Sequence, residues 1–319
     1  MRIANLLVAL AAACGAAAAQ AQQWPTKPVH IIVNVAPGGV ADVTARVLGA
    51  RLTETLGQPF VIENRAGGDG YIGFEAVGRA DPDGYSFLYS PGSSMMIAPH
   101  IVNRPDLDPT KILTPVVPTG RVSLYVLTHP NVPVSSFKEF LAYARANPGK
   151  LNYGTPGNGT SPHIATEVFN REAKVKMNHI PYKGAGPALK DLLGGVIDLT
   201  FDPGVGLAQA KAGKLRMIVV AGPNRHPDFP DVTTLEENGI HGVDGGPHFA
   251  FYATAGAPRE AIERLNREVI RLMQEPQVRE RFKALAVELA EPMTPAEFAA
   301  YVKTEYERYA KLIPELGIK

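Results

Sequence analysis

The segment Val29–Arg46, VHIIVNVAPGGVADVTAR, limits the possible folds more than any other stretch of the chain. Val29–Val35 is an apolar run rich in β-branched residues, the composition of a buried strand. It stops at Ala36-Pro37-Gly38-Gly39. Beyond the stop, Val43, Val47, Leu48, Leu52 and Leu56 recur at three- and four-residue spacing, the period of an amphipathic helix. The unit is therefore strand, glycine turn, helix. Such a turn leaves the first amides of the helix unpaired, and the helix dipole favours an anion in front of them. A plain strand–helix connection has the same local sequence, so the rest of the chain has to decide.

The N-terminus defines the compartment. Met1-Arg2 precedes an apolar, alanine-rich stretch, Ile3–Ala19, and Ala19-Gln20-Ala21 has the small-x-small form of a cleavage site. This is the pattern of a secretory signal peptide cut near Ala21, which places the protein in the periplasm. Cys14, the single cysteine, lies inside that leader, and Ala11 stands where a lipoprotein signal usually has leucine. The mature chain therefore has no thiol for catalysis, disulfides or zinc. Cleavage removes only Arg2 of 32 basic residues, leaving 31 against 31 acidic ones. Such a balance gives no support for binding nucleic acid or a membrane surface.

Along the mature chain, strands are expected at Phe60–Glu63, Ser86–Ser90, Val122–Thr128, Leu151–Tyr153, Met177–Ile180, Val196–Phe201, Leu215–Ala221 and Phe249–Thr254. Helices are expected at Tyr71–Arg79, Phe137–Ala146, Pro162–Arg171, Pro187–Leu193, Pro258–Gln274, Gln277–Leu285 and Pro295–Leu312, with another after Asp202-Pro203 that ends at Gly213. Ser136 with Glu139, and Thr233 with Glu236, read as capping pairs. Pro99–Pro118 reads as irregular. The alternation predicts an α/β chain of two domains with parallel-rich sheets. The glycine turns follow strands, the edge at which open α/β sheets hold ligands.

Most catalytic and cofactor motifs fail. Gly68-Asp69-Gly70-Tyr71-Ile72-Gly73 matches G-x-G-x-x-G, but Asn64–Gly67 separate it from its strand and no acidic residue follows near position 90. There is no phosphate-binding loop, nucleophile elbow or H-E-x-x-H, and the eight histidines are scattered. No metal or cofactor is expected. A Ser-His-Asp triad assembled in space is left open by sequence alone. Asn158-Gly159-Thr160 fits a glycosylation acceptor but sits in a glycine turn. Asp202 also fits a simple helix N-cap, and Tyr182-Lys183 also fits exposed residues at a helix entry.

Taken together, these stretches resemble a family. Trp24-Pro25-Thr26-Lys27-Pro28, Ala36-Pro37-Gly38-Gly39 with Asp42 and Arg46, Glu63-Asn64-Arg65, Asp81-Pro82-Asp83-Gly84-Tyr85 and Asn147–Tyr153 recur in order. Gly157-Asn158-Gly159-Thr160-Ser161-Pro162-His163, Pro181-Tyr182-Lys183-Gly184, Phe201-Asp202 and Ala212–Arg216 continue the series. The chain resembles the substrate-binding proteins of tripartite tricarboxylate transporters, the Bug (TctC-like) family of periplasmic receptors. The resemblance implies a two-lobed, type II-like periplasmic binding protein fold, with a mixed, mostly parallel sheet in each lobe and a cleft between them. Lobe 1 would comprise 22–121 plus 249–319, and lobe 2 would be 122–248. Hinge strands would lie near 122–128 and 249–254.

The resemblance also implies that one carboxylate is held by backbone amides and waters. The nests would be Pro37, Gly38, Gly39, Val40, Ala41 and Asp42 on one side, and Thr155, Gly157, Asn158, Gly159, Thr160, Ser161 and His163 on the other. Ser90, Gly92 and Ser93 would form the far wall, Tyr182 and Lys183 its flank, and Asp202 would face the cleft. Val40-Ala41 and His248 depart from the family pattern, so His248 is expected to meet the distal end of a ligand with an apolar body.

The function implied is a non-catalytic receptor, acting as a monomer. It would bind a small organic acid (a di- or tricarboxylate, an amino acid or an aromatic carboxylate) and deliver it to tripartite permease subunits. Reporting to a membrane sensor is the alternative. Two further readings are a secreted acid–base enzyme using Asp202, His163 or His179, and a structural envelope protein with no ligand-dependent state.

Overall fold

The computed structural model describes residues 24–67, 70–102, 104, 108–243, 246 and 248–318. The expected leader Met1–Ala21, with Cys14, and Gly68-Asp69 lie outside the described residues.

In chain order, β1 (Val29–Val33) leads to α1 (Val40–Leu56), β2 (Phe60–Asn64), α2 (Tyr71–Gly78), β3 (Ser86–Ser90), α3 (Gly92–Met96), α4 (Pro109–Ile112) and β4 (Leu113–Val122). Next come β5 (Leu124–Thr128), α5 (Phe137–Ala146), β6 (Asn152–Thr155), α6 (Ser161–Glu172), β7 (Asn178–Pro181), α7 (Ala185–Leu193), β8 (Leu199–Asp202), α8 (Leu207–Lys211) and β9 (Arg216–Ala221). The chain closes with β10 (Phe249–Thr254), α9 (Arg259–Met273), α10 (Pro276–Ala284), β11 (Val287–Leu289) and α11 (Pro295–Glu315).

The strands form two sheets, ordered β11-β4-β10-β3-β1-β2 and β7-β6-β8-β5-β9. In the first, β1 pairs parallel with β2 and β3, while β10 and β11 run against β3 and β4. In the second, β6 pairs parallel with β7 and β8, and β5 runs against β8 and β9. Four of six strands in one sheet and four of five in the other thus share a direction, the mixed two-sheet α/β arrangement expected.

Three expectations need correction. The run Val122–Thr128 is not one strand. It breaks at Ser123, and its two parts belong to different sheets. The proline-rich stretch is not wholly irregular, because its end forms β4, which carries Pro115 and Pro118 inside a sheet. Proline has no amide to donate, and the ladder absorbs this by register shifts between Phe249 and Ala250 and between Phe251 and Tyr252. Phe249–Thr254 does not itself cross between sheets. It pairs with β3 and β4 along the first sheet, so the return path precedes it.

Two caps also differ. Ser136 Oγ accepts the Glu139 amide at 3.3 Å, but the Glu139 carboxylate turns back to the Ser135 amide at 2.7 Å. The second pair is Thr234 with Glu237, one residue later than expected, with bonds of 3.2 and 2.7 Å.

Both faces of β5 are buried, which explains its unbroken apolar sequence. Leu124 and Val126 join the large core that also contains the first sheet, while Tyr125 and Leu127 join a smaller cluster with Met217 and Val220. This is the two-residue alternation of a strand sandwiched between layers.

Candidate functional site

A cavity of about 330 Å³ lies between the two sheets. Its walls follow the carboxyl ends of five strands: Val35–Ala41 after β1, Pro91 and Ser93 after β3, Pro156 after β6, Gly184–Pro187 after β7, and Pro203 and Val205 after β8. Thr160, Ser161 and Pro162 add the start of α6. Val122, Leu124 and Phe249 close it where the chain enters and leaves the second sheet. The topology thus delivers the strand-end cleft that α/β sheets use for ligands.

Three helices of eight or more residues begin at this cavity: α1 after Gly39, α6 after Thr160 and α7 after Gly184. None has a side-chain cap. The amides of Val40, Ala41, Ser161, Ala185 and Gly186 therefore stand at helix first turns on the lining, where an anion is favoured. By contrast α11 is closed by a full capping box of Thr294 and Glu297.

The first loop is held rigidly from behind. Asp42 is buried, accepting the Gly38 amide at 2.9 Å, the Arg46 Nε at 3.0 Å and the Asn64 amide group at 2.9 Å. Asn64, at the end of β2, also donates to the Val35 carbonyl at 3.1 Å, tying the loop to the sheet. Burial pushes the Asp42 carboxyl up, but the bonds from Arg46, Gly38 and Asn64 outweigh it and hold it below the usual range. Gly38 has φ of +84°, a conformation that a side chain would strain.

The second loop is braced by aromatic rings. His163 and His179 stack with centroids 3.9 Å apart, and Tyr153 stacks on His179 at 5.0 Å. His163 Nδ1 accepts the Gly159 amide at 3.2 Å, and the Thr155 hydroxyl bonds His179 Nε2 at 2.6 Å. The Tyr153 hydroxyl donates to Glu167. Burial lowers both histidines to about 4, so both rings are neutral near neutral pH. Thr160 donates to the Gly157 carbonyl at 2.8 Å. Gly159, at φ +69°, lies 3.5 Å (from its would-be Cβ) from the Ala98 backbone, seating this loop on the first sheet's side.

Of the expected site residues, Pro37, Gly38, Gly39, Val40, Ala41, Ser93, Thr160 and Ser161 line the cavity. Asp42, Thr155 and His163 stand behind the lining and brace the loops that carry it. Ser90 is fully buried and donates to the Pro91 carbonyl at 2.9 Å, Gly92 is buried beside Ser93, and Gly157 and Gly159 shape the second turn. Asn158 and Lys183 are exposed.

Four expected residues are not in the lining. Asp202 Oδ1 accepts the Gly204 and Gly206 amides at 2.7 and 2.9 Å, while Pro203 and Val205 form the wall. Burial pushes this acid up to about 6 against those two bonds. His248 is not in the lining either. It packs on Tyr301 with Nδ1 3.2 Å from the hydroxyl, and its neighbour Phe249 takes the place at the cavity. Tyr182 donates to Asp191 at 2.9 Å, away from the lining. Lys183 yields its expected place to Gly184 and Ala185.

The residues that sequence reasoning missed are apolar or backbone: Val35, Ala36, Pro91, Val122, Leu124, Pro156, Pro162, Gly184–Pro187, Pro203, Val205 and Phe249. The strand–glycine–helix pattern at Gly184-Ala185-Gly186-Pro187, the same as at positions 36–41, was the available signal. Among the described residues no cluster of histidine and carboxylate side chains suits a metal, and no helix is long and apolar enough to cross a membrane. Asp202, His163 and His179 each hydrogen-bond within the protein and are absent from this lining.

Residues 44–318 match the family described as tripartite tricarboxylate transporter family receptor. Protein BugT of Bordetella pertussis is 36% identical, over 99% of this chain and 98% of that protein. The structure of Rhodopseudomonas palustris Rpa4515 with adipate superposes with a TM-score of 0.87 at 30% identity, covering 93% of this chain and 99% of that one. MatC from the same organism, with bound malate, gives a TM-score of 0.82 at 30% identity, covering 91% and 100%.

Proposed function

We propose a receptor function from one premise: the chain belongs to the tripartite tricarboxylate transporter receptor family. It binds a small organic carboxylate in the cavity between its sheets and presents the closed form to the membrane subunits of a tripartite permease. The observation that carries this reading is the meeting of three uncapped helix N-termini on one cavity whose lining contains no charged side chain. Amide donors hold an anion without the desolvation cost of a buried cation, and waters fill the remaining polar positions. The site is the set Val35–Ala41, Ser93, Thr160–Pro162 and Gly184–Pro187, with Asp42, Thr155 and His163 as supports. The periplasm is the proposed location, reached through the leader cut near Ala21.

Two lobes follow as part of the proposal: 22–121 with 249–319, and 122–248. Closure occurs about the break at Ser123 and the start of β10 near Phe249. Ligand binding draws the lobes together, and the permease reads the closed shape.

Thermal unfolding of refolded, ligand-stripped mature protein against a panel of organic acids tests the proposal. A ligand at a hundred times its dissociation constant adds about 2.7 kcal/mol of stability, a clear rise in midpoint. A flat response across the panel overturns it.

A further inference from the structure

The cavity is chemically lopsided. Of its 22 lining residues, 15 have apolar side chains or proline rings, four are glycine, and only Ser93, Thr160 and Ser161 carry a polar side-chain atom. One of those three, Thr160, already spends its hydroxyl proton on the Gly157 carbonyl. The cations next in sequence to the lining are Arg121 and Lys183. Arg121 pairs with Glu288 at 3.0 Å and Lys183 is exposed. The buried charges directly behind the walls are both acidic: Asp42 behind the first loop and Asp202 behind Pro203 and Val205. Asp42 is balanced by Arg46 at 2.9 Å, whereas the hydrogen bonds that hold Asp202 come from the neutral backbone amides of Gly204 and Gly206.

A carboxylate taken from water loses several kcal/mol of solvation unless donors or a cation replace it. The first turns of α1, α6 and α7 and the serine hydroxyls are the donors that the lining offers such a group. A second carboxylate on the same ligand is forced towards walls of valine, leucine, proline and phenylalanine, with the Asp202 charge behind one of them. An apolar body in that place instead gains in proportion to the surface it buries. We propose that this receptor selects monocarboxylates with a branched or aromatic apolar body and discriminates against di- and tricarboxylates. The proposal deepens the receptor reading and rests on it. It predicts a ligand class different from the diacids in the relatives whose structures carry adipate and malate.

The test is calorimetric titration of the full mature protein, refolded free of bound ligand, with 3-methylbutanoate and phenylacetate on one side and succinate and adipate on the other. The expected result is that at least one apolar monoacid binds roughly tenfold or more tighter than either diacid. Val205→Lys, with its unfolding midpoint measured alongside, is expected to narrow or reverse that ratio by placing a cation on the Asp202 wall. If Val205→Lys fails to fold, Val40→Ser, which adds a hydroxyl at the first loop, replaces it and is expected to weaken the monoacids selectively. Diacids binding as tightly as or tighter than the monoacids overturn the proposal while leaving the carboxylate receptor intact. Binding of neither class overturns both.

Discussion

Asp42 and Asp202 back opposite walls of the same cavity, and their surroundings push them in opposite directions. Asp42 stands in the first turn of α1 with Arg46, Asn64 and the Gly38 amide around it, and its carboxyl is held low. Asp202 ends β8, held among the described residues by the Gly204 and Gly206 amides, and burial drives it up to about 6. The first wall is therefore a rigid, charge-balanced anion loop that stabilises the fold. The second is a shape-holding turn whose charge is a burden. The same residue type braces a strand-end turn in both places. The presence of a cation decides whether that bracing is stabilising at neutral pH.

The largest difference between them is expected from truncation. Asp42→Ala strips three donors of their acceptor and is expected to lower stability by about 2–4 kcal/mol in chemical denaturation, together with ligand affinity. A loss below about 1 kcal/mol, no more than a single ordinary hydrogen bond contributes, contradicts the claimed role of the Asp42 network.

Next in size is the pH signature. The folded-state pKa of Asp202 is raised, so its contribution is fully present below the unfolded value and is lost as pH rises through about 6. Between pH 4 and pH 7, Asp202→Asn is thus expected to gain about 2 kcal/mol on the unmutated protein. Asp42 has the opposite sign. Its contribution is present above the unfolded value and lost as pH falls through the lowered folded value. Parallel stability curves for Asp202→Asn and the unmutated protein sink the contrast between the walls.

Smaller effects sharpen it. Gly159→Ala places a Cβ 3.0 Å from Ile101 at a left-handed backbone position, and a cost of about 1–2 kcal/mol is expected. A matching fall in affinity then tests whether the second wall works by being seated on the first. Thr294→Ala removes the cap of α11, far from the cavity in role. It is expected to cost about 1 kcal/mol and leave the ligand-induced rise in midpoint unchanged.

The parts of the molecule governed by local pattern were readable in advance. Val29–Val33 and Ser86–Ser90 carry the apolar β-branched or aromatic signature, and Gly39 ends the turn before α1 as the spacing of Val43, Val47 and Leu52 required. Strand β4 was hidden because Pro115 and Pro118 read as breakers, and only pairing with β10, distant in sequence, supplies the register shifts that tolerate them. The site was half legible for a different reason. Sequence reasoning favours polar side chains, and so selected His248, Tyr182 and Asp202, each of which hydrogen-bonds within the protein and is absent from the lining. The cavity instead offers backbone amides on a frame of proline and valine, groups whose exposure is set by tertiary packing. Asp42 was found through the resemblance, which joins it to Ala36–Gly39 and to Arg46, its partner four residues on along α1.

The central claim is that backbone amides at three helix starts hold a carboxylate. Calorimetric titration of the stripped protein with phenylacetate and with phenylacetamide, at equal pH and salt, isolates that interaction, because the two share a body and differ in charge. The account predicts binding of the acid and a loss of roughly a hundredfold or more for the amide, the scale of about 3 kcal/mol for charge-assisted hydrogen bonds. Equal affinity for the two contradicts it.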